Sequence, residues 1–271
     1  MSISDLGLAK ERTLVMGILN VTPDSFADGG LYLDAALAIT RGIQMIEEGV
    51  DIIDVGGEST RPNSIRVSEE EEVRRVLPVV KELVQNGAII SIDTTRASVA
   101  RACLDAGAKI VNDISAGQYD SSMLSAVAQL NCPYIAMHTR GDSKTMSSLA
   151  VYEDVVAEVA DELSLRVNAI LEAGISRSNL VLDPGIGFAK EPEHNWLLLE
   201  NLDFLESLGY PILVGASRKR FLGALTGAVT PFERESASIA LTTLLAKRHT
   251  WGVRVHSIKP HRDAISVAGR L

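Results

Sequence analysis

The chain of 271 residues is poor in several things, and each shortage excludes a class of protein. Cysteine occurs twice, at Cys103 in a helical pattern and at Cys132 just before a strand. Neither a disulfide framework nor a thiolate zinc site is expected, and both thiols should be free and buried. Basic residues are outnumbered, 26 Lys and Arg against 35 Asp and Glu, for a net charge of -9. That balance gives no general attraction to nucleic acid or to an anionic membrane, so neither is expected as a partner and any anionic ligand must be held by a local cluster. No stretch approaches the ~18 continuous apolar residues of a membrane span, and the opening "MSISDLGLAKER" lacks the apolar centre of a signal peptide. A soluble, cytoplasmic protein is the expectation. No His/Cys spacing suggests zinc, and His194, His249 and His261 fall in helical or loop segments where a solvated side chain is expected.

What the chain does have is a core, with 46% hydrophobic residues. Eight short apolar runs of strand length recur: "LVMGILN" at 14–20, "DIIDVGG" at 51–57, "AIISIDT" at 88–94, "KIVNDIS" at 109–115, "YIAMHT" at 134–139, "LVLDPG" at 180–185, "PILVGAS" at 211–217 and "GVRVHS" at 252–257. Between them lie segments with apolar residues at helical spacing, such as 33–48, 68–85, 152–173 and 233–246. Strands that alternate with helices make βαβ units and a parallel sheet. Eight units in ~250 residues predict an α/β fold of the (β/α)8 barrel type, one domain over 1–271 with 1–12 as an N-terminal extension. An open doubly wound sheet is the alternative, and it gives eight similar units no reason. Local signals agree: Ser68 with Glu71 has the form of a capping box, "SEEEE" reads as a solvated helix start, and Gly107 and Gly174 sit where helices should stop.

Side chains alternate across a strand, which sorts each run into a helix-facing and a barrel-facing set. Asp54, Asp93, Asp183, Arg254 and His256 fall opposite the apolar Ile53/Val55, Ile90/Ile92, Leu180/Leu182 and Val253/Val255. Asn20, Asn112 and Ser217 fall on the same side of their strands, near the C-terminal end. Met137 and His138 are adjacent, and parity does not decide between them. A strand-terminal Asp or Asn can equally cap the next helix, and Asp28 and Asp113 fit that plainer role. A convergent set is different, because each buried polar group without a partner costs roughly 1 to 3 kcal/mol. The set asks for a polar ligand at the C-terminal mouth, where barrels of this kind carry their sites.

The segments "GILNVTPDSFADGG", "DIIDVGGESTRP", "SIDTTRASVARACLDAGAKIVNDISAG", "LVLDPGIGFAK", "VGASRKRFLG" and "VRVH" resemble, in order, the signature segments of the dihydropteroate synthase family of pterin-binding enzymes, from about Leu14 to the last helix. The resemblance implies condensation of 6-hydroxymethyl-7,8-dihydropterin pyrophosphate with p-aminobenzoate, giving 7,8-dihydropteroate and pyrophosphate in folate synthesis, with sulfonamides as competitors and a homodimer as the assembly. It implies a pterin pocket of Asp93, Asn112, Met137, Asp183, Phe188, Gly215 and Lys219. A carboxylate suits the paired N–H donors of the pterin edge because it only accepts. For the pyrophosphate it implies Asn20, Arg61, Ser217, Arg254 and His256, with Mg2+ on the phosphate oxygens and Asn20 as its protein ligand. For p-aminobenzoate it implies Phe26, Thr60, Arg61, Pro62, Phe188, Lys219 and Arg220, with Asp24 and Ser25 beside Phe26 in a lid. Asp54, Asp93, Lys219 and Arg61 would be catalytic, in a dissociative reaction.

Two family members of other activity, a methyltetrahydrofolate-dependent methyltransferase and a non-catalytic pterin-binding module, are the alternatives. Retention of both loops, with Arg61 and the Arg254/His256 pair, disfavours them. Three positions depart from the family pattern. Ser257 follows "VRVH" where Asp is common, Arg220 stands where Ser is frequent, and "MHTRGDSKTM" keeps Met137, His138 and Gly141 but differs between them.

Overall fold

The computed structural model describes residues 2–9, 11–22, 31–59 and 66–271, with the backbone alone for 31–34. Eight strands run in chain order: β1 Leu14–Asn20, β2 Ile52–Gly56, β3 Ile90–Asp93, β4 Ile110–Asp113, β5 Tyr134–Met137, β6 Leu180–Asp183, β7 Leu213–Val214 and β8 Gly252–Val255. All pair in parallel, in the order β6-β5-β4-β3-β2-β1-β8-β7. A parallel bridge between Leu182 and Ile212 joins the two ends and closes the barrel. β1 fills its apolar run, whereas the other strands lie inside theirs and stop earlier, β7 most of all, because backbone near the mouth turns to loop hydrogen bonds.

The helices are α1 Leu31–Glu47, α2 Glu69–Gln85, α3 Ala97–Asp105, α4 Met123–Leu130, α5 Val155–Glu172, α6 Pro192–Glu200, α7 Leu202–Glu206, α8 Arg220–Thr226, α9 Glu235–Lys247 and α10 Lys259–Arg270. In α2 the buried residues Glu72, Val76, Val79, Val80 and Leu83 recur at the spacing of one helical face. Ser68 accepts from the Glu71 amide at 3.2 Å, but the return bond of a capping box is replaced: the Glu71 carboxylate takes Arg74 and Arg75. Two guanidiniums one turn away offer it more than a backbone amide does. Gly107 and Gly174 do end helices, with φ of 109° and 93°. Both cysteines are free and buried, and burial pushes their thiols up to about 12 for Cys103 and about 11 for Cys132.

The apolar core divides as strand parity requires. Val15, Leu19, Ile53, Val55, Ile90, Ile92, Val111, Leu180, Leu182, Val253 and Val255 pack outward against the helices. Met16, Ile52, Ile110, Ile135, Val181 and Leu213 fill the barrel, floored by Ile3, Leu6, Leu8, Ile89 and Trp251. The N-terminal extension therefore lies beneath the barrel, where Arg12 binds Asp51 through two hydrogen bonds of 2.8 and 2.6 Å. Two residues further along the strands from that inner layer lies the next one, and it carries Asp54, Asn112 and Asp183.

Candidate active site

The step of two converts the inner apolar layer into the mouth. Ile52 leads to Asp54, Ile110 to Asn112, Ile135 to Met137, Val181 to Asp183 and Leu213 to Gly215. Parity along β5 now has an answer: Ile135 is inside, so Met137 is inside as well, buried and in register with Asp183. His138 points the other way, toward α5.

Arg254 joins three strands. Its Nε donates to Asp54 Oδ2 at 2.7 Å and its Nη2 to Asp93 Oδ2 at 2.7 Å, while Asn112 Nδ2 donates to the same Asp54 oxygen at 3.0 Å. Asp54 is fully buried, and its Oδ1 has no hydrogen-bond partner among the described residues. Burial raises the Asp93 carboxyl above the usual carboxylate range; Arg254 pulls it down, and Asp54 adds to the rise. The same two carboxylates hold the Arg254 guanidinium firmly protonated against its own burial. Asn20 ends β1 beside Asp93: a Cβ on Gly56 would lie 3.5 Å from Asp93 Cβ and 3.7 Å from Asn20 Oδ1.

Asp183, Gly215 and Lys219 form the facing wall. Asp183 Oδ1 accepts the Gly185 amide at 2.7 Å, leaving Oδ2 beside the space over Gly215. A Cβ there would lie 3.7 Å from Asp183 Oδ2, 3.8 Å from Arg254 Cβ and 3.9 Å from Lys219 Nζ, so glycine leaves an opening among all three. Burial raises the Asp183 carboxyl, and Lys219, the Gly185 amide, Arg254 and Lys190 oppose it. Lys219 donates to the Ile186 carbonyl, and its Nζ lies 4.7 Å from the centre of the Phe188 ring. Burial lowers the Lys219 ammonium to about 8, with Asp183 resisting, so the amine keeps its proton at neutral pH.

On the β7 and β8 side, Ser217 Oγ meets His256 Nδ1 at 3.1 Å. Burial, Arg218 and Arg254 push the imidazole down to about 3. His256 is therefore neutral in the resting site and acts as a hydrogen-bonding group, because it is buried and two guanidiniums lie near it. The Ser257 departure also has a structural counterpart. Ser257 Oγ and Arg218 Nε both donate to Glu235 at the start of α9, which places a carboxylate there from another element. Burial raises Glu235, but His261, Ser257 and Arg218 together hold it at about 2. His261 is not solvated as expected; it is fully buried between Thr242, at 2.8 Å, and Glu235, at 3.3 Å, because α10 lays this face on α9. His249 is exposed, and His194 is half-buried with its Nδ1 accepting the Glu191 amide at 3.2 Å.

Asp113 points away from the mouth, but it does not cap a helix as expected: it accepts from Ser115 and Gly117 in the loop before α4 and from Tyr134 of β5. Arg220 is exposed at the first turn of α8. Phe26, Thr60, Arg61 and Pro62, with Asp24, Ser25 and Asp28, lie outside the described residues. Sequence reasoning missed Lys190, a half-buried amine whose charge acts on Asp183, and Glu235, which no strand pattern could place. Lys190 did carry a signal: a lysine closing a short loop of otherwise apolar and glycine residues, "GIGFAK".

The arrangement can bind a flat heterocycle with donors on one edge, between Asp183, Asn112 and Lys219, beside buried cationic charge from Arg254. Comparison with known proteins agrees in kind. The family model described as pterin binding enzyme matches residues 16–256. The dihydropteroate synthase of Mycobacterium leprae is 49% identical over 94% of this chain and 92% of its own length. The solved dihydropteroate synthase of Xanthomonas albilineans with 4-aminobenzoic acid is 44% identical at a TM-score of 0.89, covering 94% of this chain and 92% of that one. That of Yersinia pestis in complex with a sulfonamide drug is 38% identical at a TM-score of 0.91, covering 97% and 95%.

Proposed function

The chain belongs to the pterin-binding enzyme family, and from that premise we propose that it catalyses the dihydropteroate synthase reaction of folate biosynthesis. It is a transferase that joins 6-hydroxymethyl-7,8-dihydropterin pyrophosphate to p-aminobenzoate, releasing 7,8-dihydropteroate and pyrophosphate. The observation that carries this is the meeting of Asp54, Asp93, Asn112, Asp183, Lys219 and Arg254 at one rim.

In this reading Asp183 Oδ2 accepts from the amino edge of the pterin in the opening over Gly215. Asn112 meets a ring nitrogen, and Met137 closes the floor. Lys219 donates toward the O4 side, and Phe188 walls the passage to the amine site. Arg61 with Thr60 and Pro62, Phe26 and Arg220 would serve p-aminobenzoate, where sulfonamides would compete. The bond from the pterin methylene carbon to the diphosphate oxygen breaks with its electron pair leaving on oxygen. The amine lone pair then attacks the carbon, and the nitrogen gives up its proton to the released diphosphate or to water. Asp54 and Asp93 stabilise the cation formed between these steps, and Arg254 and Ser217 stabilise the departing anion. Preorganised charge suits a dissociative course, because a neutral aromatic amine is a weak nucleophile. An anion arriving beside His256 raises the imidazole again.

Asn20 is the side chain that would hold magnesium. Among the described residues no group of three His, Cys, Asp or Glu could hold a metal, so the ion's other ligands would be waters and substrate phosphate. When bound, the ion neutralises phosphate charge.

The expected assembly is a homodimer, supported by exposed Leu225, Val229, Phe232 and Val267 on the last helices and the turn between them. No described helix is long and apolar enough to cross a membrane; a cytoplasmic location is what membership of the family leads us to expect. The test is pyrophosphate release with and without p-aminobenzoate. Release that requires the amine is the expected result. No release with both substrates and magnesium present, or methyl transfer from methyltetrahydrofolate, rejects the proposal.

A further inference from the structure

Behind Asp183 lies a second set of charged side chains that touches no substrate in the mechanism above. Lys190 is half-buried, its Nζ donating to the Phe188 carbonyl at 3.0 Å and to His138 Nδ1 at 2.9 Å. With Nδ1 accepting, His138 carries its proton on Nε2 and donates it to Glu162 of α5 at 3.0 Å. Glu162 also takes Arg140 at 2.9 Å, and Arg140 stacks 3.9 Å from the Tyr152 ring centre. Tyr152 in turn donates its hydroxyl to the Ala189 carbonyl at 3.0 Å. Two arms thus run from Glu162 to consecutive carbonyls of the loop that carries Phe188.

The loop needs this support. Gly185 holds φ of 69°, and a Cβ there would stand 1.9 Å from the His138 carbonyl oxygen and 3.5 Å from Lys190 Nζ. Its backbone is pressed between the end of β5 and the lysine. Carbonyls 186, 188 and 189 are taken by Lys219, Lys190 and Tyr152, all side chains from outside a regular ladder. A loop built this way has its shape set by those donors, not by secondary structure.

We propose that Lys190 is a positioning residue for the pterin site, held by His138 and Glu162, fixing the Phe188 carbonyl and acting as a counter-charge behind the carboxylate of Asp183. The proposal rests on the dihydropteroate synthase reading above. Asp183 must be ionised to accept from the pterin, and burial works against that. Lys219, Arg254 and Lys190 are the cations that face it. Of these, Lys219 is expected to turn to substrate and Arg254 is engaged with Asp54 and Asp93, which leaves Lys190 as the permanent neighbour. Around Lys190 stand Asp183, Lys219, Glu162, Arg140 and His138; burial lowers its ammonium to about 7, so the amine carries its charge on the acid side of that value.

The test is calorimetric binding of 6-hydroxymethylpterin from pH 5 to 8, alongside steady-state kinetics, for the wild type, Lys190→Met, Lys190→Gln and Lys190→Arg. Loss of the charge is expected to move the acid limb of pterin binding upward by roughly one pH unit, the effect of one nearby charge. It should also raise KM for p-aminobenzoate about tenfold through displacement of Phe188. Lys190→Gln keeps a donor and serves if the Met variant does not fold; Lys190→Arg should keep the wild-type limb. A limb unchanged in both neutral variants overturns the proposal, whatever happens to KM, because packing damage alone lowers affinity at every pH. An active wild type with such variants rejects this inference alone, whereas an inactive wild type rejects the function itself.

Discussion

Arg254 is the residue on which the mouth depends. It neutralises Asp54, which is fully buried, and Asp93 in one guanidinium plane. Breaking a buried pair leaves carboxylates uncompensated, at a cost of about 3 to 5 kcal/mol. Arg254→Met should lose that much in urea unfolding together with nearly all turnover, and a variant of wild-type stability would show that the triad contributes little. Ser257 makes the same point more gently. Ser257→Asp, which restores the side chain common in the family, sets a second carboxylate against Glu235 and should cost about 1.5 to 3 kcal/mol, the range of a charge-assisted hydrogen bond. Pairing it with Glu235→Gln should recover most of the loss. An additive double variant would mean that the two residues do not communicate.

Among elements, the Gly185–Lys190 connection stands out because its conformation is set from outside. Gly185→Ala combines a left-handed backbone with a clash on the His138 carbonyl. We expect a loss of at least about 2 kcal/mol, from strain and overpacking together. The same variant should raise KM for both substrates, since the loop cannot keep both Asp183 and Phe188 in place. Thermal melting and initial rates on one preparation measure both effects. By contrast, the inner layer of Met16, Ile52, Ile110, Ile135, Val181 and Leu213 should tolerate swaps of equal volume, because it fills space and orients nothing polar by itself.

For the whole molecule, buried histidines link folding to pH. Burial, with Lys190 adding repulsion, holds the His138 imidazole at about 4 against its ordinary 6.5. The folded state keeps this histidine neutral while the unfolded chain protonates it below 6.5, so its contribution falls as pH drops through 6.5 toward 4. Measured against the wild type, His138→Gln should therefore gain about 1.4 kcal/mol per pH unit across that window. Parallel stability curves for the two proteins would contradict the buried neutral imidazole. The exposed apolar set on the last helices makes the second prediction at this scale: Phe232→Asp should shift a dimer toward the 29.1 kDa monomer in sedimentation.

The sequence by itself determined the barrel and the sides of its strands, because a period of two in eight runs leaves only one way to put Ile53 and Val55 on helices while Asp54 turns inward. It also carried the resemblance that names the substrates. Tertiary structure alone decided who meets whom. Arg254 lies 200 residues from Asp54 in the chain, and Glu235 lies 22 from Ser257 on a different element. Parity gives direction along one strand but not distance between strands, so the charge on His256, the burial of His261 and the support of Phe188 by Lys190 follow only from the closed barrel.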